Sequence, residues 1–276
     1  MEELLLHPAR SDEMGAAGRA WVEDHLSWTS IVRRLIERLG IGTVEGGAAM
    51  DRDQLSETYD RYRADDVLER WSKENPGNRF LLEERLRAQE QRLGELGLAD
   101  RAVDVLDVGC GGATSLPAGI RSRRRVGVDL LFERLVEIGD DSPMDGVACA
   151  DGARLPFPDE SFDLVILSTV LSSIDSDDIR RSVGVDIERV LRPGGCVMVY
   201  DMRLPNPSNR SIRPVRKSQV SSYFPHLAGS STSITLIPQI ARRIGDRPSL
   251  YRALARVPML RSHRLTLLSK GLRRSS

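Results

Sequence analysis

The stretch VLDVGCGGATS, residues 105–115, decides the fold. An apolar, β-branched run ends in an acid, Asp107, then glycines stand at 109, 111 and 112 before a helix-compatible stretch. Glycine lets the backbone approach a ligand where any Cβ would collide. A helix opening after such a turn presents free N–H groups to anionic ligand atoms. A dinucleotide fingerprint wants G-x-G-x-x-G, with the second and third glycines three apart. Here the position three after Gly111 is Thr114, so that pattern fails. An acid ahead of the first glycine also suits a ligand bearing an ammonium group better than one bearing a pyrophosphate.

Working outward, short β-branched runs alternate with helical windows. Strands are predicted at Val103–Val108, Arg125–Asp129, Gly146–Ala150, Phe162–Ser168 and Gly195–Asp201, with helices near Ser115–Arg121, Leu131–Gly139 and Asp177–Leu191. Strand, helix, strand at this spacing predicts right-handed crossovers and a parallel sheet. Two further strands, Ser231–Ile237 and Arg264–Leu268, flank a helical region from Gln239 to Arg256 and are expected to pair antiparallel at one edge. Upstream, helical patterns cover Trp21–Leu39, about Leu55–Trp71 and Arg79–Leu96, with Asn75-Pro76-Gly77-Asn78 predicted as a turn.

Composition narrows the class. Hydrophobic residues make up 40% and charged residues 29%, which excludes wholesale disorder. No run approaches the roughly 18 apolar residues of a membrane span, and MEELLLHPARSDEM carries acids where a secretory leader carries bases. Cys110, Cys149 and Cys196 lie far apart, without zinc spacing, so the expected setting is the cytoplasm and no metal site is expected. The net charge of zero hides an asymmetry: residues 202–276 hold 15 Lys/Arg and a single acid, Asp246. A segment of that kind serves an anionic substrate, a nucleic acid or an anionic membrane face, or it is a solvated surface balancing the acidic half.

A second acid, Asp129, ends VGVD, where a carboxylate can accept both hydroxyls of a ribose. A third, Asp151, opens ADGARLPFPDESFDLVI, and LRPGG at 191–195 stops a helix and launches the next strand. The set LDVGCG, VGVD, ADGARLPFPDESFDLVI and VLRPGG, over about residues 103–201, resembles the class I S-adenosylmethionine (SAM)-dependent methyltransferases, in the small-molecule (type 11-like) branch. That resemblance implies an α/β fold: a Rossmann-like, seven-stranded, mostly parallel sheet with helices on both faces. It implies an N-terminal helical extension and cofactor lid at 1–100, then the methyltransferase domain at 101–276 with substrate-side insertions about 202–262.

The resemblance also implies roles, with SAM as cofactor. Asp107, Gly109 and Gly111 would meet its methionine end, Asp129 its ribose, Leu130 its adenine face, and Asp151, Gly152 and Ala153 its adenine edge. Ser168 would close the pocket beside the sulfonium. Two departures stand out: Ala113 replaces a usual glycine, and Ser172-Ser173-Ile174 stands where many relatives carry a histidine.

On the substrate side, Asp201 at a strand's carboxyl end and His263 are the candidate bases, with His226 a weaker one. Asp201 can instead pair with Arg203. Arg203, Arg210, Arg213, Arg216 and Lys217 cluster without an acid, and guanidinium forks suit phosphate or carboxylate, so an anionic acceptor is expected, met by Arg203, Arg210 and Arg213. Tyr59, Tyr62 and Arg63, in the helix before the core, would form a lid over the cofactor, or the two tyrosines, spaced i, i+3, would pack in the core. Short patterns downstream resemble a bacterial subgroup associated with glycan and secondary-metabolite pathways. The expected reaction is therefore methyl transfer, at oxygen, to a small-molecule or glycan/glycolipid acceptor, with peripheral membrane contact allowed. RNA is the runner-up acceptor, disfavoured because the basic segment offers only Tyr223, Phe224 and Tyr251 for stacking. A non-catalytic SAM-binding protein is the third reading.

Overall fold

The computed structural model describes residues 74–98, 100–111, 117, 119–138, 142–205 and 212–272. The predicted helices at 21–39 and 55–71, Tyr59, Tyr62 and Arg210 lie outside them, as do residues 112–116 of the glycine turn.

The first described helix, α1 (Pro76–Gly94), starts inside the predicted turn. Asn75 is its N-cap, with its side chain accepting the Gly77 N–H at 2.9 Å, and Pro76 fills the first turn, where a missing N–H costs nothing. The Asn-Pro-Gly-Asn signal marked a helix start. Gly77 is required by contact: a Cβ there would run into the backbone of Ala241.

Seven strands follow in chain order, interleaved with short helices. They are β1 (Val103–Val108), β2 (Ser122–Asp129), α2 (Phe132–Leu135), β3 (Gly146–Cys149), β4 (Phe162–Ser168), a 3-10 turn (Leu171–Ser173), α3 (Asp177–Val190), β5 (Leu191–Met202), α4 (Lys217–Tyr223), β6 (Leu227–Leu236), α5 (Pro238–Ile244), α6 (Pro248–Ala255), a 3-10 turn (Pro258–Leu260) and β7 (Arg261–Lys270). The sheet order is β3-β2-β1-β4-β5-β7-β6, parallel except at β7, which runs antiparallel to both neighbours. This is the expected α/β architecture. Two elements are shorter than predicted: α2 is one turn, and residues 117 and 119–121 are not helical.

The central strands are buried on both faces, so β1 is buried at every position, as parallel sheets require. Side chains alternate between two cores. Leu106, Val108, Val165, Leu167, Val197 and Val199 pack with Val183 and Ile187 of α3. Val103, Val105, Leu164, Ile166, Met198 and Tyr200 pack with Leu93 of α1. At the amino edge, buried Asp104 and Asp163 are held by Arg123 and Arg192 at 2.7–2.9 Å, bracing four strand starts at the end opposite the glycine turn. Burial pushes the Asp104 carboxyl up, yet hydrogen bonds from Arg123 and Arg192 outweigh it and hold the pKa below the ordinary value.

Candidate functional site

The carboxyl edge of the sheet gathers the three acids read from the sequence. Asp107 stands near the carboxyl end of β1, fully inside the protein at 4% exposure, and its Oδ1 has no hydrogen-bond partner. Burial raises its pKa to about 7, with Arg85 opposing and Asp129 adding to the rise. An orphaned buried carboxylate oxygen is costly and calls for a donor.

The turn beyond it is built on backbone that side chains resist. Gly109 and Gly111 have φ of 71° and 58°. The N–H groups of Gly109 and Cys110 both donate to the Val128 carbonyl, at 2.8 and 3.0 Å, which pins the turn to β2. A Cβ at Gly109 would come within 2.6 Å of Val170 Cγ2, and the Arg134 guanidinium packs directly on Gly111. Asp129, at the end of β2, accepts the N–H groups of Gly111 at 2.9 Å and Leu131 at 3.0 Å. Leu130 beside it is half-buried. Asp151 folds its own loop by accepting the Ala153 N–H at 2.9 Å, and Gly152 is buried against Val108.

These features fit SAM. The orphaned Asp107 Oδ1 offers an acceptor for an ammonium, the cradle at Gly109 has no room for a Cβ, and Asp129 and Asp151 keep lone pairs for ribose and adenine donors.

The substrate side departs from expectation. Asp201 is 3% exposed, and both its carboxylate oxygens serve backbone N–H groups: Ser172 at 3.1 Å and Met202 at 2.8 Å. Burial raises its pKa, against those hydrogen bonds. It therefore clamps the 3-10 turn after β4 onto β5, which is a different occupation from taking a substrate proton. Nor does it pair with Arg203, whose Nη1 donates to the carbonyls of Pro258 and Arg261 at 2.7 and 3.0 Å. Arg213 pairs with Asp175 at 3.0 Å. Of the expected anion cluster, Arg203 and Arg213 thus spend their guanidinium groups on different partners.

His263, paired in register with Met202, is 5% exposed and stacks on Tyr200, with ring centroids 4.7 Å apart and planes 4° from parallel. Burial lowers its pKa to about 3, aided by nearby Arg85, and Nδ1 meets Ser262 Oγ at 2.8 Å. It is neutral at physiological pH. Because Tyr200 and Asp201 are adjacent on one strand, they face opposite sides of the sheet, and His263 lies with Tyr200. Asp201 and His263 do not act on one substrate atom together. His226 precedes β6, at the amino edge, where Nδ1 meets Glu188 Oε2 at 2.8 Å.

Two residues went unread in the sequence. Arg85 projects from α1, its Nη2 donating to Ser168 Oγ at 3.2 Å and its guanidinium lying 4.7 Å over the Tyr200 ring. Burial lowers its pKa, while Tyr200 and Asp107 oppose the fall. The signal was present: Leu81, Arg85, Gln89 and Leu93 repeat every fourth residue, so a charge sits on the inward stripe. The second is Thr169, at φ 59° directly after Ser168, held by its N–H on the Tyr200 carbonyl at 2.7 Å. A non-glycine residue in that region is strained, and such strain gathers at functional loops. Among the described residues no cluster of His, Cys, Asp and Glu is arranged for a metal, and no helix is long and apolar enough to cross a membrane.

Comparison with known proteins matches residues 106–199 to the family described as "Methyltransferase domain". A demethylmenaquinone methyltransferase of Parafrankia sp. is 33% identical over 109 residues, 40% of this chain and 36% of that protein. A ubiquinone/menaquinone biosynthesis C-methyltransferase of Cupriavidus necator is 33% identical over 135 residues, 49% of this chain and 44% of that one. A probable tRNA methyltransferase 9B of Homo sapiens is 33% identical over 112 residues, 41% of this chain and 22% of that one. In each case the chain spans less than half the length of the curated relative it matches.

Proposed function

We propose that this chain, whose residues 106–199 are a methyltransferase domain, transfers the methyl group of SAM to a small, ring-bearing acceptor of the quinol kind, at carbon. The observation that carries the cofactor is the orphaned Oδ1 of buried Asp107 beside a glycine turn with no room for a Cβ. Bound SAM supplies an electrophilic methyl group on a sulfonium. Around it, Asp107 takes the ammonium, Gly109 and Gly111 line the methionine end, and Asp129 takes the ribose hydroxyls. Leu130 covers the adenine, Asp151 accepts from its edge with Gly152 and Ala153 alongside, and Ser168, steadied by Arg85, closes the pocket. Residues 101–276 form this unit, with 202–262 on the acceptor side.

The acceptor reading rests on two supports. Two of the three relatives named above are named for demethylmenaquinone or for quinone biosynthesis, and the third for tRNA. The substrate side also offers no free base among the described candidates, since Asp201 serves two backbone N–H groups and His263 is buried and neutral. A sugar hydroxyl needs its proton taken by a base. At a ring carbon activated by its own hydroxyl, the C–CH3 bond forms as the sulfonium C–S bond breaks and the ring proton leaves afterwards to water, so methyl transfer itself needs chiefly alignment. That argument moves the acceptor away from the glycan or glycolipid oxygen expected from the sequence.

The test incubates the purified protein with methyl-labelled SAM and, separately, a demethylated quinol, a glycolipid and tRNA. Label on a quinol ring carbon supports the reading. Label on glycolipid or tRNA overturns the acceptor, and tight SAM binding without label on any of them overturns the transferase itself.

A further inference from the structure

The connection from β6 to β7, residues 237–260, carries α5, α6 and a 3-10 turn. Because β7 runs antiparallel to both β5 and β6, this connection leaves and re-enters at the carboxyl edge, with Met202 facing His263 and Leu236 facing Arg261 in register. It therefore stands at the edge that holds the candidate site. Its inner face is well anchored. Ala241, Ile244 and Tyr251 are buried with Leu81 and Leu236, and the Tyr251 hydroxyl donates to Glu84 Oε2 at 2.5 Å.

Its outer face has the opposite character. Leu250 and Val257 are each 41% exposed and Met259 is 82% exposed, so three of the nine exposed large hydrophobic residues described fall within ten positions. Leu250, Ala253 and Val257 are spaced i, i+3, i+7 and form one exposed stripe along α6 and its end. The same segment carries exposed Arg243, Arg247, Arg252 and Arg256, none in an ion pair with a described residue, with Asp246 the single acid of residues 202–276; Arg252 and Arg256 also line the cleft against α1 that holds Glu83, Glu84 and Glu95. Single exposed aliphatics are ordinary, but a group of them within a segment that exposes four arginines marks a contact surface.

We propose that the outer face of residues 243–259 docks on an anionic lipid surface, with Leu250, Val257 and Met259 entering the acyl boundary and the four arginines meeting headgroup phosphates. An apolar stripe flanked by cations is the pattern of helices that lie in a membrane interface. The chemistry fits a bilayer better than RNA, because the exposed side chains are aliphatic and the segment's aromatic, Tyr251, is turned inward; RNA recognition relies on exposed rings for stacking. A second copy fits worse still, since a two-fold pairing of this face would oppose arginine to arginine. The proposal draws on the acceptor reading for its purpose, delivery of a lipophilic acceptor to the carboxyl edge, but lipid docking is measured without turnover.

The experiment sediments the full chain with vesicles of phosphatidylglycerol and phosphatidylcholine, and with vesicles of phosphatidylcholine alone, at low and high salt. Binding is expected on the anionic vesicles only and weakened by salt. The Arg252→Gln, Arg256→Gln double variant is expected to lose about 25-fold in partition, about five-fold per arginine, and Met259→Asp to lose about ten-fold. Unchanged SAM affinity in both variants shows that the fold is intact. Absence of anionic-vesicle binding, or binding indifferent to these variants, overturns the proposal. So does self-association, or RNA retention in place of vesicle binding, that the variants abolish. Vesicle binding that obeys the variants, without methylation of any quinol, leaves docking standing and removes the acceptor reading alone.

Discussion

Asp201 accepts the backbone N–H of Ser172 at 3.1 Å, so a carboxylate at the end of β5 fixes the turn that leaves β4. With its second oxygen on Met202, it acts as an internal staple. Asp201→Asn keeps one acceptor and points an amide donor at a second N–H. The expected cost is about 1–3 kcal/mol in stability by denaturant unfolding. Methyl transfer by the folded fraction should fall modestly, with the acid limb of its pH profile unmoved. A loss of several orders of magnitude at full stability would restore Asp201 as the base.

His263 gives a complementary prediction. Its folded pKa of about 3 lies below the ordinary 6.5, so the unfolded chain binds more protons between these values. Stability from this group is present above about 6.5 and is lost as pH falls toward 3. His263→Phe should keep the stack on Tyr200, lose about 1 kcal/mol with the Ser262 contact, and flatten stability against pH across that window. Turnover near neutrality should survive.

Asp107, proposed to meet the SAM ammonium, should govern cofactor affinity through protons. With its pKa at about 7, the ligand-free protein holds this carboxyl half-protonated near neutrality. Ionising it costs the free protein stability as pH rises from about 4 to about 7. An ammonium beside Oδ1 favours the ionised form, so SAM binding releases a proton below about 7. Calorimetry in buffers of different ionisation heat should show affinity rising with pH and levelling above about 7. Asp107→Asn should bind weakly and without that slope.

Arg85 bears on the same carboxyl from α1. Arg85→Met removes the hydrogen bond to Ser168 and the cation over Tyr200, for about 1–2 kcal/mol of stability. It also removes a positive charge that holds the Asp107 pKa down. The midpoint of pH-dependent SAM binding should therefore move above about 7. A midpoint left in place would separate Arg85 from the cofactor end.

At Gly109 two costs combine. Alanine there would sit at φ 71° and meet Val170 Cγ2 at 2.6 Å. About 1–2 kcal/mol is expected from the backbone alone, with the turn displaced from β2. SAM affinity, read by calorimetry, should fall well beyond what the stability loss explains.

The sheet was legible because its strands carry their own statement of burial, and VLDVGCGG names its turn through glycines that the backbone requires. The start of α1 was misread because Asn-Pro-Gly-Asn is both a turn signal and a cap with proline at the first position, and only the packing of Gly77 on Ala241 decides between them. At the site, the acids at strand ends were readable by position. The work of Asp201 was not, because its partners are backbone N–H groups, which leave no trace in side-chain sequence. The parity of Tyr200 and Asp201 was readable, but only the stack of His263 on Tyr200 separates Asp201 from His263. Arg85 was the clearest missed signal, a charge repeating in phase with Leu81 and Leu93.

The β6–β7 connection closes on a pair of residues, Leu236 and Arg261, that are already partners in the sheet. Its outer face is thereby uncoupled from the strands that end in the three acids, while its inner face stays tied to α1 through Ala241 and Tyr251. Residues 237–260 form a cassette with one variable side: a different outer face, carried on the same anchors and the same inner contacts, can redirect the proposed transferase to other acceptors or other surfaces while the half proposed to bind the nucleoside goes on unaltered. Diversification in such a protein is expected to accumulate there, much as a common handle accepts different blades.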